Sequence, residues 1–171
     1  MTSKTNTLTQ ERLQELLHYD PLTGIFRWLL YRNSNAKIGD IAGSPHTKGH
    51  LRISIDGKQY LSHRLAWFYM TGQWPASMID HENTDGSDNR WLNLREATHA
   101  QNCMNAQKRS DNSSGFKGVS FSRERGKFVA QINRAGKRTH VGIFDTAEEA
   151  AKAYDNAARL HHGEFARVNF P

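Results

Sequence analysis

Cysteine is nearly absent: Cys103 stands alone among 171 residues, which excludes an internal disulfide and any CxxC pair for a structural zinc. Long apolar runs are missing too, since no stretch approaches the roughly 18 residues that a membrane span needs. The opening MTSKTNTLTQ lacks the basic-then-apolar layout of a secretory signal. From these absences we expect a soluble, cytoplasmic chain with no membrane partner. Hydrophobic residues make up 37% of the sequence, and 171 residues allow one large domain or two small ones.

Acidic side chains are also in deficit, 17 against 23 Lys and Arg, giving a net charge of +6 and a pI near 9.6. That balance favours a polyanionic partner. Its distribution says more. Residues 107–140 carry +7, against −2 for 141–171 and +1 for the first 106 residues. A local excess of this size reads as a phosphate-contacting surface, with a merely solvated face as the bland alternative.

Along the chain, Thr9 can cap a short helix with Leu13, Leu16 and Leu17 at helical spacing. Asp20 to Gly24 reads as a turn, Ile25 to Leu30 as a strand and residues 32–49 as loop. Leu51, Ile53 and Ile55 alternate up to Asp56-Gly57, a hairpin signal, and the chain returns through Lys58 to Leu61. His63 to Thr71 reads as a buried helix ended by Gly72 and Pro75, and Met78 to His81 as a short strand. Thr98 with Gln101 makes a capping box.

Polar residues 107–114 are the expected linker. Three strands and a helix should follow. Phe128, Ala130 and Ile132 alternate in the second strand, Ala135-Gly136 turns the chain, and Val141 and Ile143 can face the core in the third. Thr146 with Glu149 caps the helix, whose Ala147, Ala150, Ala151, Tyr154 and Ala158 form a small-residue stripe that can lie close on the sheet. The other sheet face, polar and basic, stays free for a ligand.

Cutting a phosphodiester needs a base to activate water, a cation to offset charge at phosphorus and help for the leaving oxygen. The segment IDHENTDGSDNRWLNLREATHAQN offers candidates for these parts. Asp80 is a hard oxygen donor suited to Mg²⁺ or Mn²⁺. His81 can titrate near neutral pH, as a general base should. Asn102 offers a carbonyl oxygen as second metal ligand, and Asn93 can bond backbone across the loop and fix the histidine. His63 and His99 read as structural or as phosphate contacts, with no partner for His63 evident. His161 and His162 suit a helix C-terminus better than a metal.

This stretch resembles the ββα-metal motif of HNH endonucleases, in the phage homing and nicking branch that reads DH…NL…TxxxN. Asp80-His81, Asn93 before Leu94, and Asn102 after Thr98 carry the match. The lead-in LTQERLQELLHYDPLTGIFRW…HRLAWFYMTGQWP resembles that of phage HNH proteins as well. The resemblance implies Asp80 and Asn102 as ligands of one divalent cation, His81 and Asn93 as the catalytic base and its brace, and products with 5′-phosphate and 3′-hydroxyl ends.

Residues 115–171 resemble the AP2/ERF DNA-binding domain of plant transcription factors, through FKGV, VGIFDTAEEAAKAYD and VNFP in order. Such domains lay a three-stranded sheet in the DNA major groove. Gln131 and Asn133 stand at positions that contact DNA in that family, where amides can pair with adenine. Lys117 and Arg138 keep basic character, while Ser120, Ser122 and His140 depart from the plant pattern, so its sequence preference does not transfer. Arg123, Arg125, Lys127 and Arg134 are expected on phosphates.

The expected architecture is therefore α+β: an HNH domain over 1–106 (lead-in 8–75, ββα-metal core 76–106), a linker at 107–114, and a three-stranded antiparallel sheet packed on one helix over 115–171. The expected function is a divalent-metal-dependent endonuclease acting on double-stranded DNA, as monomer or homodimer. The rival is a non-catalytic AP2-type regulator with a vestigial HNH unit.

Overall fold

The computed structural model describes residues 8–32, 36–134 and 136–171. The polar leader through residue 7, part of the expected 32–49 loop and Ala135 of the expected turn lie outside the described residues. The chain has mixed α and β structure, with several small antiparallel sheets and, among the described residues, four α-helices. None of the described helices is long and apolar enough to cross a membrane. Packing divides the chain after Glu96 into two compact units.

In the first unit, helix α1 (Gln10–Leu16) starts where the Thr9 hydroxyl accepts from the Arg12 amide. It runs directly into strand β1 (Leu17–Asp20), which local sequence patterns do not reveal, paired antiparallel with β2 (Ile25–Trp28). The expected loop holds two very short strands, β3 (Ile41–Ala42) beside β2 and β4 (Ser44–Pro45) beside β5 (Leu51–Ile55). The hairpin at Asp56-Gly57 joins β5 to β6 (Lys58–Leu61) as the turn chemistry predicts. Helix α2 (Ser62–Thr71) follows and ends at Gly72, in the left-handed conformation. Leu13, Leu17, Phe26, Ile53, Ile55 and Leu65 form the buried centre of this unit.

Strands β7 (Met78–His81) and β8 (Leu94–Ala97) form a two-stranded sheet separated by the polar loop. The turn after β1 supports that loop. Gly24, at φ +73°, lies so close to it that an added Cβ would meet the Arg90 nitrogen and the Asn89 carbonyl carbon at 2.4 Å. Trp91 N–H donates to the Pro21 carbonyl at 2.9 Å, so the lead-in hairpin fixes the loop by backbone contact.

The second unit contains helix α3 (His99–Asn105), with its capping box of Thr98 and Gln101. Packing places α3 and residues 107–114 in this unit, although the composition of 107–114 reads as a linker. The reason lies in hydrogen bonds that composition does not reveal. Lys117 Nζ donates to the carbonyls of Met104 and Ala106, and Asn112 and Ser114 tie to Gly115, Phe116 and Val119.

Strands β9 (Val119–Ser122), β10 (Lys127–Arg134) and β11 (Lys137–Phe144) form an antiparallel sheet with β10 central. Helix α4 (Ala147–His162) carries the expected capping box and buries Ala150, Ala151, Tyr154 and Ala158 against Val119, Ala130 and Ile132. Gly118 lets the chain pass the Tyr154 ring, which an added Cβ would meet at 2.0 Å. The register breaks between Ala130 and Gln131, where one extra residue, Val141, sits on β11. This bulge corrects one expectation: Val141 and Phe144 pack on the core, but Ile143 lies opposite Val129 and is 39% exposed.

Candidate functional site

His81 ends β7 with its side chain buried, 5% exposed, and Asp80 beside it is 4% exposed. His81 Nε2 lies 3.2 Å from Asn89 Oδ1. Asn89 is itself buried, and its Nδ2 donates to the Ser87 carbonyl at 3.2 Å while its own carbonyl accepts from Tyr19 Oη–H at 2.7 Å. With the amide oriented by Ser87, the oxygen faces the imidazole, so His81 carries its proton on Nε2 and keeps a lone pair on Nδ1. Burial holds His81 below the ordinary histidine pKa, partly offset by the Asn89 hydrogen bond.

Asn93 organises the loop. Its Oδ1 accepts from the Asn83 amide at 3.0 Å, its Nδ2 donates to the Asp88 carbonyl at 2.7 Å, and its own carbonyl accepts from Glu82 N–H at 2.9 Å. It acts on backbone, whereas Asn89 is the amide against the imidazole. Asp88, held by Arg90 and by Asn83, has its carboxyl lowered to about 2, with the Arg90 hydrogen bonds the chief cause.

Asp80 is clamped by Arg95, a residue that no sequence motif singles out. Both Nε and Nη2 of Arg95 lie 2.9 Å from Asp80 Oδ2. A carboxylate has about four lone-pair positions, so the clamp on one oxygen is compatible with cation binding by Asp80. The donor chemistry fits a divalent ion on this test. Asn102, partly buried in the first half of α3, belongs to the second unit.

A second feature of the first unit is invisible to spacing. His50, just before β5, and His63, near the start of α2, come together with His81. One ring nitrogen from each lies within 4.8 Å of the others, the only such grouping of potential ligands among the described residues. His63 is 5% exposed, and burial, followed by the neighbouring His81 and His50, drives its pKa down to about 3. It is uncharged at any physiological pH. His99 lies instead beside Cys103, with Nε2 3.6 Å from Sγ.

In the second unit, the register pairs Gln131 with His140 and Asn133 with Arg138, placing these four on the sheet face opposite α4. Lys127 shares that face and pairs with Asp145 at 2.9 Å. Arg123 and Arg125 occupy the β9–β10 turn, and Arg134 stands at the exposed end of β10. Lys117 stands apart from this group. Its ammonium is taken by the Met104 and Ala106 carbonyls, and burial lowers its pKa to about 8. His162, expected at a helix terminus, is buried there with Nε2 2.9 Å from the Asn133 carbonyl oxygen.

Comparison with known proteins agrees with this division of chemistry. Residues 60–104 match the HNH endonuclease family, and residues 114–163 match the AP2 domain. HNH domains are generally divalent-metal dependent. The dehydration-responsive element-binding protein 2A of Arabidopsis thaliana is 46% identical over 74 residues, covering 40% of this chain and 21% of that protein. The ethylene-responsive transcription factor 3 of Nicotiana tabacum is 50% identical over 58 residues, covering 33% of this chain and 25% of that protein. The chain thus spans about a quarter or less of the length of these two curated relatives.

Proposed function

We propose that this chain, carrying an HNH endonuclease segment and an AP2 domain, is a divalent-metal-dependent endonuclease that cuts double-stranded DNA held by its second unit. The observation that carries this reading is the pairing of His81 with Asn89 beside Asp80. A buried, neutral imidazole whose Nε2–H is fixed keeps Nδ1 as its basic atom. In the reaction, His81 takes a proton from a water molecule, the water oxygen attacks phosphorus in line, and the bond to the 3′ oxygen breaks, that oxygen taking up a proton from solvent. The products carry a 5′-phosphate and a 3′-hydroxyl.

Arg95 fixes the Asp80 carboxylate, and Asn89 fixes the imidazole. Asn93 keeps the loop between β7 and β8 closed through its three backbone partners. When bound, Mg²⁺ or Mn²⁺, for which Asp80 is the donor on β7, would supply charge neutralisation at the phosphate.

The second unit supplies binding. Gln131, Asn133, Arg138 and His140 stand together on the open face and are suited to base edges, with Arg123, Arg125, Lys127 and Arg134 around them for phosphates. Lys117 instead ties the start of this module to the end of α3, through its bonds to Met104 and Ala106. The phage homing or nicking character implied by the sequence pattern fits a small nuclease joined to a DNA reader.

Supercoiled plasmid incubated with Mg²⁺ should relax, and EDTA should stop it. Replacing His81 with Ala should cut the rate by about 10²–10⁴-fold with gel-shift affinity kept. Full activity in that variant would remove His81 from the mechanism. The transcription-factor names of the curated relatives favour a non-catalytic regulator instead; absence of any Mg²⁺-dependent relaxation, with binding intact, would establish that reading.

A further inference from the structure

We propose that His50, His63 and His81 form a binding site for a borderline transition-metal cation of the Zn²⁺ class, and that its occupancy silences the base by taking the His81 lone pair. The site stands on its own geometry; only the silencing rests on the nuclease reading above.

Three observations carry the site. First, the ring centroids are 4.9 Å apart for His50 and His63, 5.0 Å for His63 and His81, and 5.5 Å for His50 and His81. A tetrahedral ion about 2.05 Å from three imidazole nitrogens places the ring centres about 5 Å apart. The rings already have that spacing, with one ring nitrogen from each within 4.8 Å of the others.

Second, the Nδ1 atoms of His50 and His63 are buried with no hydrogen-bond partner among the described residues. Buried imidazole nitrogens normally find a partner, and two such atoms beside a third histidine mark a place where a cation would satisfy what the protein leaves open. Third, the donors are of one kind. Three neutral imidazoles prefer Zn²⁺, Co²⁺ or Ni²⁺ over Mg²⁺, and three protein ligands leave a fourth position for water. Burial keeps His63 uncharged, as a ligand must be.

The silencing follows from lone-pair count. An imidazole with its proton on Nε2, toward Asn89, has a single lone pair, on Nδ1. That pair can accept a proton from water or bind a cation, but cannot do both. The chain would then be active with Mg²⁺ alone and inhibited when a borderline ion is present.

The test uses the full chain and Co²⁺ as probe. Titration should give one equivalent of bound Co²⁺ with visible d–d absorption, displaced by Zn²⁺ and indifferent to excess Mg²⁺. His50→Gln and His63→Gln should each weaken binding by at least about tenfold. His50 is the less buried of the two, and circular dichroism of each variant shows whether it has folded. Absence of Co²⁺ binding, or binding unaffected in the folded His50→Gln protein, overturns the site.

Separately, Zn²⁺ titrated into the Mg²⁺ plasmid reaction should inhibit it. The midpoint should move to at least about tenfold higher Zn²⁺ in His50→Gln, each protein being scaled to its own Mg²⁺-only rate. If Co²⁺ binds through these histidines and Zn²⁺ leaves cleavage unchanged, the silencing is overturned. If Co²⁺ binds but Mg²⁺ supports no cleavage at all, the nuclease reading and the silencing both fail while the site stands.

Discussion

Lowering the pH from 7 to 5 should destabilise the first unit through one buried side chain. His63 takes a proton near 6.5 in the unfolded chain, but in the folded protein only at about 3, because burial opposes the charge. A depressed histidine pKa means that the unfolded state binds more protons between those values. The stability contribution is therefore fully present above about 6.5 and is lost as pH falls toward 3. Integrating proton binding from pH 7 to pH 5 gives a loss of about 2 kcal/mol.

Urea denaturation in EDTA, followed by tryptophan fluorescence, reads this unit alone, since Trp28, Trp67, Trp74 and Trp91 all lie within it. With a urea m-value of about 1–2 kcal/mol/M, the midpoint should drop by about 1–2 M. Asp20, Asp85 and Asp88 all have lowered pKa values, so they titrate below this window. His81, also depressed, adds to the slope in every variant that retains it. The His63→Gln protein should accordingly lose most of the pH dependence but not all. Equal slopes in the two proteins would refute the burial argument for His63.

Three further outcomes are expected. Asn89→Ala should slow cleavage by about 10- to 100-fold, less than the loss of the base itself. Because the Asn89 hydrogen bond raises the His81 pKa, the acid limb of kcat/KM should move to lower pH in this variant, which a purely structural defect would not produce. Removing Arg134 and Arg138 together should flatten the slope of log affinity against log salt by about 0.9 for each phosphate that is no longer neutralised, measured by fluorescence anisotropy; an unchanged slope would take both side chains off the DNA. Gly118→Ala drives a Cβ to 2.0 Å from the Tyr154 ring at a φ of +76°. It should cost about 3 kcal/mol, seen as a lower melting temperature of the second unit by circular dichroism.

Much of the fold was legible because its signals are local. The Thr9, Thr98 and Thr146 caps, the Asp56-Gly57 turn and the alanine stripe of α4 each depend on neighbours a few residues away. Failures fall where the deciding interaction is distant or breaks a period. Alternation puts Ile143 inside because it assumes an unbroken ladder, and the bulge at Val141 reverses it. Residues 107–114 have a linker's composition, yet Lys117 and the Asn112–Ser114 bonds hold their neighbourhood in place.

The candidate site divides in the same way. Asp80 and His81 could be named because chemistry concentrates in one short segment. Asn89 and Arg95 sit in that segment too, but no spacing rule says which of its several polar side chains turns toward the imidazole or the carboxylate. His50 and His63 meet His81 only after β5, β6 and α2 have folded, and no sequence window contains that encounter.

The bulge in β11 has a consequence for how this molecule can change over time. By absorbing one residue, it separates the side chains that hold the second unit together from those it offers outward. Gln131, Asn133, Arg138 and His140 can be exchanged for others, and the alanines of α4 will not register the difference. Pairing β11 without the bulge, with Val141 opposite Ala130, would do the reverse, turning Ile143 inward and Phe144 outward in a single step. New specificities are thus open to this scaffold by substitution, and closed to it by a shift in frame along that strand.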